Sequence, residues 1–556
     1  MAAAQSKEKP LSDLSDDACK TQSNLGLIPD TEPAYTPTAA TKSLKVRSDT
    51  TTCSYARPVE EIREEEYPHM SNGIYLDHSG TTIYARSLIT QVAHKLTTNL
   101  YGNPHSANQP AHHSGAMVDD VRLQALRFLG ADPAHFDLVF VANATAAIKL
   151  VGDAFRDLAE QTHGKRFWYG YHTEAHTSLV GVRELAGREN HVCFRTDADV
   201  DSWLNPPAPS PPHQGLGLFA YPGQSNLTGR RLPLAWPSRV RSAAHLRANT
   251  YTLLDAAALA VTADMASVFS DPASAPDFTC LSFYKIFGYP DLGALVVRRA
   301  SGHILTLRRY FGGGTVHMVS TAGWHLSKGL AATPDQDLPL HEALEDGTLP
   351  FHNILALGEA IAVHRTLYGS MGAVGRHTAT LARRMYDGIA ALRHPNGQAA
   401  CRVYSEGDGF GDPTRQGATV AFNVVRSDGT FASYAEVESK ANERGIYVRS
   451  GGVCCPGGLF NALGYEDWQL GRARSAGHHC GPQGIGVIHE LPTGIVRASL
   501  GAMSTAREVD ALVAFLEETV VKTDAAAAAA AGMERWSADS GKGFAETDMG
   551  EGLLSC

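Results

Sequence analysis

Three things are scarce in this 556-residue chain: long apolar runs, a basic surplus and patterned cysteines. No stretch of about 18 consecutive apolar residues occurs, roughly what a membrane-spanning helix needs. Lys and Arg number 48 against 58 Asp and Glu, for a formal net charge of −10. That balance offers no electrostatic footprint for nucleic acid or an anionic membrane. The nine cysteines fall at no metal-ligand spacing, and their number is odd. Free thiols in a cytoplasmic protein fit this better than the disulfide framework of a secreted one. Met1–Lys20 carries acids early and has no apolar core, so it reads as neither a secretory signal nor a transit peptide. No internal repeat is visible.

What is present has globular composition, with 43% hydrophobic residues. Residues 1–62 are rich in Thr, Ser, Asp and Pro and are expected to be disordered. From Ile74 onward, short apolar runs alternate with helix-length segments. Asp137–Ala142 reads as a buried strand and Ala144–Phe155 as the helix that follows it. Arg166–Tyr171, Gly217–Tyr221, Thr250–Asp255, Phe278–Ser282 and Ala294–Arg298 read as further strands. Strands separated by helices predict an α/β fold, a mainly parallel sheet with helices on both faces. Between about 350 and 520 the pattern changes to helices at Asn353–Tyr368, about 376–393 and Ala506–Glu517, with a strand at Ala418–Val424. This predicts a second, smaller α+β domain. After Lys522, the alanine run Ala525–Ala531 and a polar end read as a disordered tail.

The candidate chemistry begins at strand ends. Asp255 closes the apolar run Leu253-Leu254, at the edge where parallel sheets bind ligands. Lys285 follows Leu281-Ser282-Phe283-Tyr284 in the same way. A lone strand-end lysine most often simply solvates its ammonium, and the paired aspartate is what singles this one out. Asn143-Ala144-Thr145-Ala146 passes from strand to helix through small residues, and helix N-terminal N–H groups with a threonine hydroxyl suit a phosphate. An ordinary N-cap is the competing reading. Phe311-Gly-Gly-Gly-Thr315 could bring backbone close to a phosphate or be a plain turn. His176 could stack on an aromatic ring, with His172 close enough to confuse the assignment. Cys454 and Cys455 lie in Arg449-Ser-Gly-Gly-Val-Cys-Cys-Pro-Gly-Gly458, a loop whose glycines predict mobility, with Arg449 available to activate a thiol. Incidental turn cysteines are the alternative. Arg497, ahead of the last helix, is suited to clamp a carboxylate or to form a structural salt bridge.

In this order the segments resemble the class V aminotransferase family, and within it the cysteine desulfurases. They are closest to the N-terminal domain of eukaryotic molybdenum cofactor sulfurases. The resemblance rests on Tyr75–Thr81, Asn103–Ser106, Asn143–Ala146, Gln224–Gly229, Ser282–Gly288, Phe311–Thr315, Glu345–Phe351, Arg449–Cys454 and Gly477–Gly481. It implies a pyridoxal-phosphate-dependent transferase of fold type I. Residues about 95–330 would form the large domain with a seven-stranded sheet, and 63–94 with 331–520 the small one. Lys285 would hold the cofactor as a Schiff base and move the proton at the substrate's α-carbon. Asp255 would pair with the pyridinium, His176 would stack on the ring, and Asn226 would approach the phenolate. Thr145, Ala146 and Ser282 would hold the phosphate. Thr315 would reach the phosphate of the partner subunit in a homodimer. Arg497 would bind the carboxylate of L-cysteine, and Cys454 would carry sulfur as a persulfide destined for the molybdenum cofactor.

Three residues depart from the desulfurase pattern: Cys455 where relatives usually have Asn, Tyr284 where they have His, and Ala258 where they have Gln. The MOSC domain that follows in full-length sulfurases is not expected after residue 520. Other readings compete. A stand-alone cysteine desulfurase would pass sulfur to a different acceptor, a class V lyase or transaminase acting on another amino acid would not need Cys454, and a non-catalytic scaffold would not bind the cofactor.

Overall fold

The computed structural model describes residues 55–163, 166–207, 215–328, 339–478 and 485–523. At its centre lies a seven-stranded sheet made of β1 (Phe136–Val141), β2 (Trp168–His172), β3 (His191–Phe194), β4 (Gly217–Pro222), β5 (Thr250–Asp255), β6 (Phe278–Ser282) and β7 (Gly293–Arg298). The strand order is β1-β7-β6-β5-β4-β2-β3, and β7 alone runs against the others. The strands are apolar on both faces because both are covered. Leu138, Phe140, Phe219, Leu254 and Leu281 enter a core with α1 (Gln109–Leu129) and α3 (Phe351–Tyr368). Val139, Leu218, Leu253 and Cys280 point the other way, into a core with α2 (Ala144–His163).

Every strand except β7 ends at one edge, where the chain turns into loops and helix starts. Two local devices shape that edge. Asn143 Oδ1 accepts from Ala146 N–H at 3.1 Å, capping α2, and Ser282 Oγ accepts from Ala144 N–H at 3.0 Å. Gly293 opens β7 where a Cβ would meet Asn143 Cα at 2.5 Å, so only glycine lets β7 pass the start of α2.

A second sheet is antiparallel, with order β8-β9-β11-β10 for β8 (Cys401–Val403), β9 (Thr419–Val424), β10 (Arg449–Gly451) and β11 (Ile495–Ser499). It packs on α4 (Met371–Ala391) and α5 (Ala506–Leu516), whose buried Leu381, Met385, Leu512 and Phe515 share one core with Val420, Phe422 and Val496. A capping box between Thr505 and Glu508 sets the start of α5.

The departures from expectation are local. The helix Val59–Glu66 begins inside the stretch expected to be disordered; Val59 and Ile62 are buried, and Tyr55 Oη donates to the Ala502 carbonyl at 3.0 Å. Strand β3 was not among the expected strands; it is four residues long and lies at the sheet edge with Val192 and Cys193 exposed. Helix α4 starts at Met371 rather than about 376, capped by Ser370 despite Gly372 and Gly375. The segments expected to be disordered at residues 1–54 and 524–556, and most of Gly477–Gly481, lie outside the described residues.

Candidate active site

One pocket lies at the shared strand edge. It is lined by Thr145 from the start of α2, His176 and Ser178 after β2, Asn226 after β4, Asp255 at the end of β5, and Ser282, Tyr284 and Lys285 after β6. The open space is about 540 Å³ and is continuous with solvent. Six of the ten residues singled out from sequence therefore line one cavity.

Lys285 sits in the short helix Tyr284–Phe287. Burial holds its amine below the ordinary 10.5; Asp255 opposes that shift and Arg497 adds to it. Asp255 is buried, and its Oδ1 accepts from Ala257 N–H at 2.9 Å, which fixes the carboxylate at the end of β5. Burial, helped by Lys285 and Arg497 and opposed by Asp255, keeps His176 below its ordinary value. Of the two histidines, only His176 lines the pocket. His172 is buried 3.2 Å from Asp197 and is not among the residues lining the pocket.

Arg497 lies on β11, outside the pocket lining but within electrostatic reach of Lys285 and His176. Its guanidinium donates to Asp77 Oδ1 at 2.7 Å and to the Asn226 carbonyl at 2.8 Å, while its buried Nε–H has no partner. Asp77 did not stand out in the sequence as a functional residue, although it follows a short apolar run just as Asp255 does. The ion pair is largely buried, with side chains 4% and 17% exposed. Removing one partner of a buried pair strands the other charge, so Asp77→Ala is expected to cost about 3 kcal/mol in denaturant unfolding.

The loop expected to be mobile is tied down. Asn226 Nδ2 donates to the Val453 carbonyl at 2.7 Å, and Thr177 N–H to the Cys454 carbonyl at 2.9 Å. Val453 and Cys454 take left-handed backbone angles, φ 41° and 57°. That conformation is costly for a non-glycine residue, above all a β-branched one. The Asn226 donor is spent on this loop, and its Oδ1 is buried without a partner.

The two adjacent cysteines differ completely. Cys454 is exposed, whereas Cys455 is buried among Leu227, Val453, Leu459 and Leu463, its Sγ 3.4 Å from the Glu174 carbonyl. Burial pushes the Cys455 thiol up, so it stays protonated and unreactive at neutral pH. Cys455→Ala is expected to lower stability by about 1 kcal/mol and to leave any chemistry at Cys454 unchanged, read by thiol labelling.

One expected contact with this pocket's phosphate lies elsewhere, and Thr315 was expected at the partner subunit's phosphate rather than at this one. Ala146 is not among the pocket-lining residues, and its N–H is committed to Asn143. Thr315 is buried in its own turn, donating to the Gly312 carbonyl at 2.8 Å and accepting from Gly312 N–H. Ser178 and Tyr284 line the pocket although sequence gave them no role there.

A family model described as Aminotransferase class-V matches residues 74–512. The chain belongs to the class V aminotransferase family. A molybdenum cofactor sulfurase from Aspergillus niger is 50% identical over 479 residues, covering 85% of this chain and 56% of that protein. One from Botryotinia fuckeliana is 49% identical over 481 residues, covering 84% and 57%. The chain thus spans about half the length of the curated relatives it matches. Among solved structures, a cysteine desulfurase from Thermococcus onnurineus NA1 superposes with a TM-score of 0.63 at 20% identity, covering 84% of this chain and 98% of that one. The cysteine desulfurase CsdA from Escherichia coli gives 0.59 at 20% identity, covering 83% and 98%. At that identity the likeness is one of fold. Class V aminotransferases are pyridoxal-phosphate-dependent. Among the described residues no helix is long and apolar enough to cross a membrane.

Proposed function

We propose that this chain is a pyridoxal-phosphate-dependent cysteine desulfurase whose Cys454 persulfide supplies sulfur to the molybdenum cofactor. The observation that carries the reading is the placement of an exposed thiol on a loop hydrogen-bonded to two walls of the Lys285 pocket, through Asn226 and Thr177. The donor set fits the cofactor: an amine for its aldehyde, a carboxylate for its ring nitrogen, an imidazole for its ring face, and hydroxyls at a helix N-terminus for its phosphate. When bound, pyridoxal phosphate draws electrons from the α-carbon of an attached amino acid.

The residues divide the remaining work. Arg497, with its unpartnered buried Nε–H, supplies the cation for the substrate carboxylate. Lys285, whose amine is biased toward its neutral form, takes the α-proton and returns it. The Cys454 thiolate attacks the substrate sulfur; an S–S bond forms and the Cβ–S bond breaks. The electron pair of that bond stays with the carbon fragment, which is protonated and leaves as alanine. Cysteine and a protein thiol thus become alanine and a protein persulfide, with no other reactant. Cys455, held protonated, does not compete.

The acceptor follows from similarity to the fungal molybdenum cofactor sulfurases. A cytoplasmic setting is in keeping with the free thiols at Cys193, Cys280, Cys401, Cys454 and Cys455. The proposed homodimer is supported by the hairpin Val316–Val319/His325–Ser327, which follows Thr315 and exposes Met318, Val319, Trp324 and Leu326. Sedimentation is expected to give twice the chain mass, and Met318→Glu with Trp324→Glu to reduce it to one. The function itself is tested by incubating the protein with L-cysteine and measuring alanine and protein-bound persulfide in equal amounts at first turnover. Sulfur transfer to desulfo molybdenum cofactor tests the acceptor.

A further inference from the structure

Ser178 stands in the first turn of the short helix Thr177–Val180 and lines the same pocket as Lys285. Its Oγ is 2.7 Å from Thr145 Oγ1 and 3.0 Å from His176 Nδ1. Its backbone N–H also donates to that Nδ1, at 3.1 Å. An accepting imidazole nitrogen offers one in-plane lone pair. The N–H is fixed in direction while the hydroxyl can rotate, so the backbone holds the ring and the Ser178 hydroxyl is released. The two hydroxyls together carry two protons, and one suffices for the contact between them. The other is left for a group in the pocket.

That group is an acceptor by the charge of its surroundings. Burial keeps His176 toward its neutral form, and Lys285 is the one cationic side chain among those lining the pocket. On the proposed function, its amine is engaged by the cofactor aldehyde. An anionic group here must therefore be held by hydroxyls and by the positive end of the α2 dipole, since Ala144 N–H and Ala146 N–H are already taken by Ser282 and Asn143. Thr145 belongs to the first turn of α2.

We infer that Ser178 is a ligand of the cofactor phosphate, its hydroxyl donating to the phosphate while it accepts from that of Thr145. This rests on the pyridoxal phosphate reading and adds a residue to it. It also requires that Ser178 matter only when a phosphate is present. The test compares the affinity of the cofactor-free protein for pyridoxal phosphate and for pyridoxal, which lacks the phosphate, by fluorescence titration. Ser178→Ala is expected to weaken pyridoxal phosphate about tenfold or more, the size of a lost hydrogen bond to a charged group. Pyridoxal binding should stay within about twofold of wild type, and Ser178→Thr should restore phosphate-dependent affinity. Equal weakening of both ligands would mean that Ser178 merely shapes the pocket and would overturn the inference, as would no weakening of either. If the unaltered protein fails to bind pyridoxal phosphate, the proposed function falls. If it binds and Ser178→Ala binds equally well, only the Ser178 assignment falls.

Discussion

Cys454→Ala is expected to abolish persulfide formation and to reduce alanine release from L-cysteine by roughly 10³-fold or more, the scale seen when a covalent nucleophile is removed. The cofactor should be retained, because Cys454 is not among the residues lining the pocket. Only a thiolate can take the substrate sulfur by the route proposed. Cys455 cannot substitute, since its sulfur is buried against the Glu174 carbonyl and held protonated. Alanine release, persulfide and bound cofactor are measured on the same sample. Alanine release at the unaltered rate would rule out the persulfide route and favour a class V lyase instead.

Lys285→Ala is the second large effect. The variant should lose pyridoxal phosphate on desalting, and turnover should fall by roughly 10²–10⁴-fold, the contribution of a positioned proton-transfer group. The pH dependence of capture in the unaltered protein gives a finer test. The neutral amine is the form that attacks an aldehyde. Burial lowers the Lys285 pKa, with Arg497 acting in the same direction and Asp255 against it. The rate at which cofactor-free protein captures pyridoxal phosphate should therefore rise with pH and level off below 10.5. Asp255→Asn removes the opposing negative charge, so the levelling should move to lower pH. A plateau at or above the ordinary lysine value in the unaltered protein would contradict this account of the pocket.

The parts legible from sequence were those whose cause is local. Thr250–Asp255 and Phe278–Ser282 are continuous apolar runs with a polar residue at the ligand edge, and their strand bounds match the structure. Strand β3 escaped because His191–Phe194 is only four residues long and is flanked by polar Arg188-Glu-Asn190 and Arg195-Thr-Asp197. Asp77 and Arg497 are paired across 420 residues, which no periodicity records. The Cys454 loop shows the same limit. Its glycines suggested freedom, but its hold comes from Asn226, 227 residues away. Ser178 was passed over because a serine two residues after a histidine gains significance only when α2 brings Thr145 to 2.7 Å from it.

The bond from Thr177 N–H to the Cys454 carbonyl ties the thiol to the residue next to His176. Sulfur and imidazole therefore share one mechanical frame: a displacement of that wall carries both, and their spacing survives motions that would misalign groups mounted separately. Lengthening the cysteine loop would uncouple them, so a single inserted residue before Val453 should disturb the spacing between the thiol and the ring-facing imidazole more than any change at the pocket mouth.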